Sequence, residues 1–166
     1  MTLGLMNANP VVHAKKERIA RSEQPNSDHS IHPLDIYDIL LLFLFFYLFI
    51  YSLNIRDPEH PYSLEQLNVL SEESISVDHK LARILITFTP TVRHCSMVTV
   101  IGLCLRLKLK HHFPPHFKVD IKVSEGSHAD EESVNKQLND KERIAAALEN
   151  PNLRQLVDEC LYSNEL

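Results

Sequence analysis

Cys95 is the residue whose type and setting most directly invite chemistry: it follows His94 and stands where a loop enters an apolar stretch. At such an entrance, backbone N–H groups and the helix dipole favour the thiolate, the form that acts as nucleophile and metal ligand. A free cysteine is more often an inert, buried side chain, and that reading stands beside the chemical one. Cys104 comes nine residues later, two and a half helical turns on and so on a different face, and reads as core filler. Cys160, near the C-terminal end, reads the same way. Three widely spaced cysteines with no C-x-x-C pair argue against a disulfide framework or a cysteine-rich zinc site, and they fit a reducing compartment. Asp57 and Glu59 could act as an acid pair, but Pro58 and Pro61 around them point first to a rigid loop or a partner contact. His128, just ahead of a capping Asp130, is a weaker candidate for the same neighbourhood. His111, His112 and His116 read as a solvated helix end, because Pro114 and Pro115 disturb any helical ligand spacing. No dinucleotide fingerprint, P-loop, nucleophile elbow or H-E-x-x-H occurs. The enzymatic alternative that remains is a thiol- or metal-dependent one using His94 and Cys95.

The chain that must position these groups has 166 residues, 17 basic and 22 acidic side chains, and a net charge of -5. Its hydrophobic fraction of 44% and its three glycines exclude a disordered, collagenous or low-complexity chain. The mild acidity leaves no footprint for nonspecific nucleic-acid binding. The length suits one domain with a tail. That average conceals residues 39–53, where fourteen of fifteen side chains are apolar or Tyr and six of the chain's twelve aromatics sit. As a helix this run spans about 22 Å, short of the roughly 30 Å hydrocarbon core, and Asp35 and Asp38 obstruct its extension. A membrane span is therefore not expected, and a membrane-tethered interaction module stands only as an alternative. No secretory signal is expected either, since the run lies behind the charged and polar residues 15–32.

Residues 1–33 read as a flexible tail without apolar period, Pro33 suits a helix start, and residues 34–163 make the domain. Asp57-Pro58-Glu59-His60-Pro61 is a rigid loop, and Ser63-Leu64-Glu65-Gln66 is a capping box for a short turn. Residues 67–70, 74–77 and 81–89 are strand-length pieces, the last being the strongest and stopped by Pro90. Leu103, Leu105, Leu107 and Leu109 alternate as in a strand, yet Thr99, Gly102, Arg106 and Lys110 form one polar helical stripe. Sixteen residues without a turn signal favour the helix. Residues 117–123 alternate as a half-buried strand that Gly126 closes, and residues 130–149 read as one helix with an acidic first turn. Asn150 and Pro151 open a last short helix. The sum is an α+β domain: a small mixed sheet of three to four strands packed with two main helices.

Three stretches carry a family resemblance. They are Arg56-Asp57-Pro58-Glu59-His60-Pro61, Phe88-Thr89-Pro90-Thr91-Val92-Arg93-His94-Cys95-Ser96-Met97, and Asn135-Lys136-Gln137-Leu138-Asn139-Asp140-Lys141-Glu142-Arg143. Together they resemble the cytosolic iron–sulfur assembly targeting-factor family, whose bacterial relatives are the SufT and PaaD proteins. Residues 4–17, with N-A-N-P-V-V and K-K-E-R, resemble its plant branch, the asymmetric-leaves-enhancer-like proteins. The likeness covers the start of the tail and residues 54–163, and it fails over residues 39–53.

The resemblance implies a small α+β fold, a helix over residues 96–110, and a non-enzymatic adaptor. Such adaptors join a WD40 propeller protein and a HEAT-repeat protein, and they deliver 4Fe–4S clusters to cytosolic and nuclear apoproteins. An indirect role in genome maintenance and chromosome segregation follows, as does a cytoplasmic location with nuclear access. Cys95 of the H-C-S motif, with His94, is the implied working thiol. A cluster usually takes four thiolates, so one cysteine is expected to be a transient or shared ligand, with no cofactor stably bound. Asp57, Glu59 and His128 are the candidate partner contacts, and a homodimer is a further expectation. The family passes almost directly from an I-Y-D-like helix to N-I-R-D-P-E-H-P, whereas here fifteen residues separate Asp38 from Asn54. Phe, Leu, Ile and Tyr are what T-rich DNA encodes, so about a dozen of residues 39–53 read as partly retained intron sequence or a mis-set splice boundary interrupting the domain. Transcript reads across that junction decide the point.

Overall fold

The computed structural model describes residues 7–14, 55–78, 80–112 and 115–162. The helix start at Pro33 and the apolar run at 39–53 lie outside the described residues. Three strands form one sheet in the order β1-β2-β3, with β1 at Ile75–Asp78, β2 at Arg83–Phe88 and β3 at Lys118–Val123. β1 and β2 pair antiparallel across a short connection, whereas β2 and β3 pair parallel. A parallel pair needs a crossover, and helix α1, Val98–His112, supplies it. β2 alternates as its sequence requires, placing Ile84, Ile86 and Phe88 in the core, where β3 adds Ile121 and Val123.

The leucine alternation of α1 belongs to a helix buried on nearly all sides, with Leu103, Leu105 and Leu109 all in the core. The expected polar stripe is corrected accordingly. Gly102 lies buried where Leu138 packs, and a Cβ there would collide with that side chain. Arg106 reaches inward, donating to the Val119 carbonyl at 3.1 Å and to Asn139 Oδ1 at 3.0 Å. Of the four positions only Lys110 is exposed.

Residues 130–149 form two helices, not one: α2, Glu131–Asn139, and α3, Lys141–Glu149. Asp140 separates them, because its backbone is extended (φ -93°, ψ 117°) and its carboxylate accepts from the N–H groups of Glu142 and Arg143. An aspartate is as good an N-cap as it is a poor helix interior. With α4, Pro151–Tyr162, the described residues hold four α-helices. Asn150 caps α4 as expected, accepting from the N–H groups of Asn152 and Leu153.

Residues 67–70 are a second correction, for they make no strand. The Ser63–Gln66 capping pair forms, and the chain keeps turning beyond it. Leu67 N–H donates to the Ser63 carbonyl, Val69 N–H to that of Leu64, and Asn68 adopts φ +53°. Leu67, Val69 and Leu70 reach the core from this coil instead.

The free edge of β3 is closed by side chains. Asn139 accepts from Ile121 N–H at 2.9 Å and donates to its carbonyl at 2.8 Å, while Asn135 accepts from Val123 N–H at 2.8 Å. Two asparagines on α2 thus stand where a fourth strand would pair.

Candidate functional site

Cys95 ends the loop after β2, three residues ahead of α1, and is 5% exposed. Burial pushes its thiol above the ordinary value; the Met97 and Val98 N–H groups pull the other way, and the Asp57 and Glu59 carboxylates add to the rise. Helix-entrance geometry is therefore present, but lost hydration outweighs the two N–H groups, and the net shift is upward, away from the thiolate. His94 beside it is exposed, and no hydrogen bond to its ring occurs among the described residues.

His128 lies on the turn between β3 and α2 and is buried. Its Nε2 is 3.1 Å from the Cys95 carbonyl, and its Nδ1 accepts from Asp130 N–H at 3.1 Å. The neighbouring Ala129 N–H donates to the Arg93 carbonyl at 2.9 Å. The structure thus brings His128 and Cys95 together, through the backbone of the H-C-S turn.

Asp57 and Glu59 come within electrostatic reach of Cys95, but each is already engaged. Asp57 Oδ1 accepts from Glu59 N–H at 2.9 Å, His60 N–H at 3.0 Å and His60 Nδ1 at 3.0 Å. This is an Asp closing its own turn, the local role that Asp commonly takes ahead of a loop. Glu59 Oε1 accepts from Asn7 N–H at 3.3 Å. The loop is pinned to α4 where Arg56 N–H donates to the Cys160 carbonyl at 3.0 Å.

His60 was not singled out by its sequence alone, yet it is the hinge of this region. Its Nδ1 faces Asp57 and its Nε2 lies 2.6 Å from the Asn7 carbonyl, so both nitrogens face acceptors. Burial lowers its pKa, but the Asn7 carbonyl and the Asp57 carboxylate outweigh that, and the net shift is upward. Residues 7–14, assigned to the tail, lie against this loop, with His13 N–H donating to the Gln66 carbonyl at 2.6 Å. The Asp-x-x-His spacing inside D-P-E-H-P was the available signal.

Cys104 and Cys160 sit in the core between α1 and α4. A hydrogen bond with the Cys160 thiol, together with burial, pushes the Cys104 thiol well up, and its Sγ lies 4.0 Å from the Val157 carbonyl. His111 and His116 are exposed. Among the described residues no group of three His, Cys, Asp or Glu is placed to hold a metal ion, and no helix is long and apolar enough to cross a membrane.

No family model matches the chain. Individual proteins do. It is 66% identical over 166 residues to protein AE7-like 1 of Arabidopsis thaliana, covering 100% of both chains. It is 51% identical over 166 residues to protein AE7 of the same plant, covering 99% of this chain and 100% of that one. Cytosolic iron-sulfur assembly component 2B of Mus musculus is 42% identical over 160 residues, 95% of this chain and 91% of its own. With a MIP18 family protein of Caenorhabditis elegans also 45% identical over 95% of this chain and 94% of its own, likeness of this extent places the chain in the MIP18 family, within its AE7-like plant branch.

Proposed function

We propose that this chain works in cytosolic iron–sulfur protein assembly as a non-enzymatic adaptor that hands 4Fe–4S clusters to apoproteins. The observation that supports the reading is the 42% identity, over 95% of this chain, to a protein named cytosolic iron-sulfur assembly component 2B, together with the H-C-S turn at the entrance of α1. Cys95 is the working thiol in this reading, with His94 exposed beside it. The cluster is cargo: one thiolate comes from this chain and the others from a partner or a second copy, since four are usual. Ligation releases the thiol proton, and the positive iron supplies the opposite charge that the buried turn lacks. A WD40 propeller protein and a HEAT-repeat protein are the proposed partners, and apoproteins of the cytosol and nucleus are the proposed clients. The genome-maintenance role is indirect and passes through those clients.

The test pairs a pull-down with a maturation assay, using the wild-type chain and Cys95→Ala. Cys95→Ala should retain both partners and leave a client enzyme without its cluster. Client maturation that survives the substitution removes Cys95 from the mechanism, and failure to recover the propeller and HEAT-repeat proteins removes the adaptor reading.

A further inference from the structure

We infer that His128 is a positioning residue that latches the Cys95 turn closed over its own thiol. Exposure of the thiol then requires the turn at residues 127–130 to let go. The significance of the latch rests on the proposed role of Cys95, but its existence does not.

Three observations support it. The first is the tautomer. A backbone N–H can only donate, so Asp130 N–H fixes Nδ1 as acceptor and leaves the ring proton of the neutral imidazole on Nε2, facing the Cys95 carbonyl at 3.1 Å. A buried imidazole is costly unless both nitrogens are satisfied, and here one of the two partners is the H-C-S turn itself. The second is the stiffness of the mount. Ser124 N–H donates to the Phe88 carbonyl at 2.9 Å, and the Thr89 and Ser124 hydroxyls lie 2.6 Å apart. Ser127 folds back onto the Ser124 carbonyl through its N–H at 3.0 Å and its hydroxyl at 2.6 Å, around Gly126 at φ +73°. The latch therefore hangs from the ends of β2 and β3, not from a free loop. The third is the weakness of the neighbouring bond. Among the described residues Val98 N–H also reaches the Cys95 carbonyl, at 3.5 Å, and a bond that long is weak. Ala129 N–H on the Arg93 carbonyl closes the same seam at 2.9 Å, so the two strips of chain part together or not at all.

The experiment follows iodoacetamide alkylation of each cysteine separately, by mass spectrometry of the full-length chain. Cys104 and Cys160 serve as gauges of general loosening. His128→Ala should raise the Cys95 rate by up to about tenfold, the scale of one lost hydrogen bond, while Cys104 and Cys160 keep their wild-type rates. His128→Gln places an amide N–H near the position of Nε2 and should return Cys95 close to the wild-type rate. His128→Asn reaches only to the level of Nδ1 and should behave as His128→Ala does. If His128→Ala does not fold, the Gln and Asn variants carry the comparison. An unchanged Cys95 rate in the folded Ala or Asn variant overturns the latch, and so does a parallel rise at all three cysteines. Failure of Gln to rescue overturns the hydrogen-bond assignment. None of these readings uses client maturation, so the latch and the role of Cys95 fail separately.

Discussion

Where α1 begins, polar groups crowd a thiol: the His128 ring, two backbone N–H groups, and the carboxylates of Asp57 and Glu59 within reach. One to two turns further on, the same helix is gripped by apolar packing, with Leu138 seated on Gly102, and Arg106 tied to Asn139 beyond it. Both regions carry residues of the family's signature stretches. In the middle of α1 that signature serves the fold, for Leu138 packs, Asn135 and Asn139 close the sheet edge, and Asp140 divides two helices. At the entrance it surrounds the buried Cys95 thiol, the proposed ligand of the cargo cluster. A recurrent motif is thus not by itself a mark of chemistry, and the two regions should part company when stability and function are measured together.

The largest stability effect belongs to the middle of α1. Leu138→Ala should cost about 2–5 kcal/mol in urea unfolding, as deletion of a fully buried leucine does. Gly102→Ala should cost about 1–3 kcal/mol by overpacking, in spite of the roughly 1 kcal/mol by which alanine suits a helix better. The double variant should cost less than the sum, since the new methyl enters the space that Leu138 vacates. A stabilising Gly102→Ala would show that the α1–α2 contact is looser than drawn.

Next come the cysteines. Cys104→Ala should lose about 1–2 kcal/mol from the core and retain client maturation. Cys95→Ala should shift stability by less than about 1 kcal/mol and abolish maturation. Matching stability losses, or matching functional losses, would erase the distinction between the two regions.

A smaller effect follows from pH. His60 gains acceptors on both nitrogens, so its pKa in the folded chain is raised above 6.5. The hold on residues 7–14 is then complete below that unfolded value and is lost as pH rises through the raised one. Hydrogen exchange at the His13 amide, corrected for its intrinsic pH dependence, should show protection falling across that window. Flat protection refutes the doubly donating ring. The smallest effect is expected from Glu59→Gln, which keeps an acceptor for Asn7 N–H but removes a charge. Cys95 should alkylate modestly faster at fixed pH, the charge being partly screened by solvent.

Much of this was legible in the sequence. β2, β3, α1 and the capped start of α4 follow from alternation, helical length and the Asn-Pro pair, because each depends on neighbours a few residues away. The turn at Asn68 escaped because Leu67, Val69 and Leu70 are apolar whether they face the core from a strand or from a coil. The break at Asp140 was visible in principle as an N-cap residue, but the helix formers on both sides masked it. The site itself divides the same way. The Asp57 turn is local and announced by its prolines, whereas the His128–Cys95 bond spans 33 positions and no periodicity signals it. The rise of the Cys95 thiol belongs with the latter, since burial is a property of the assembled fold.

The asparagine pair on α2 has a consequence for how copies of this chain behave in a crowded cell. A sheet margin normally offers its N–H and C=O groups to any passing strand, and proteins defend against this with lysine, proline or bulges. Here the N–H groups of Ile121 and Val123 are already spoken for by Asn139 and Asn135, so a stray strand arriving at β3 meets side-chain amides instead of open valences. The protection is built from neutral groups and does not weaken with salt. Replacing both asparagines with alanine would bare that margin and turn the three-stranded sheet into a template for aggregation.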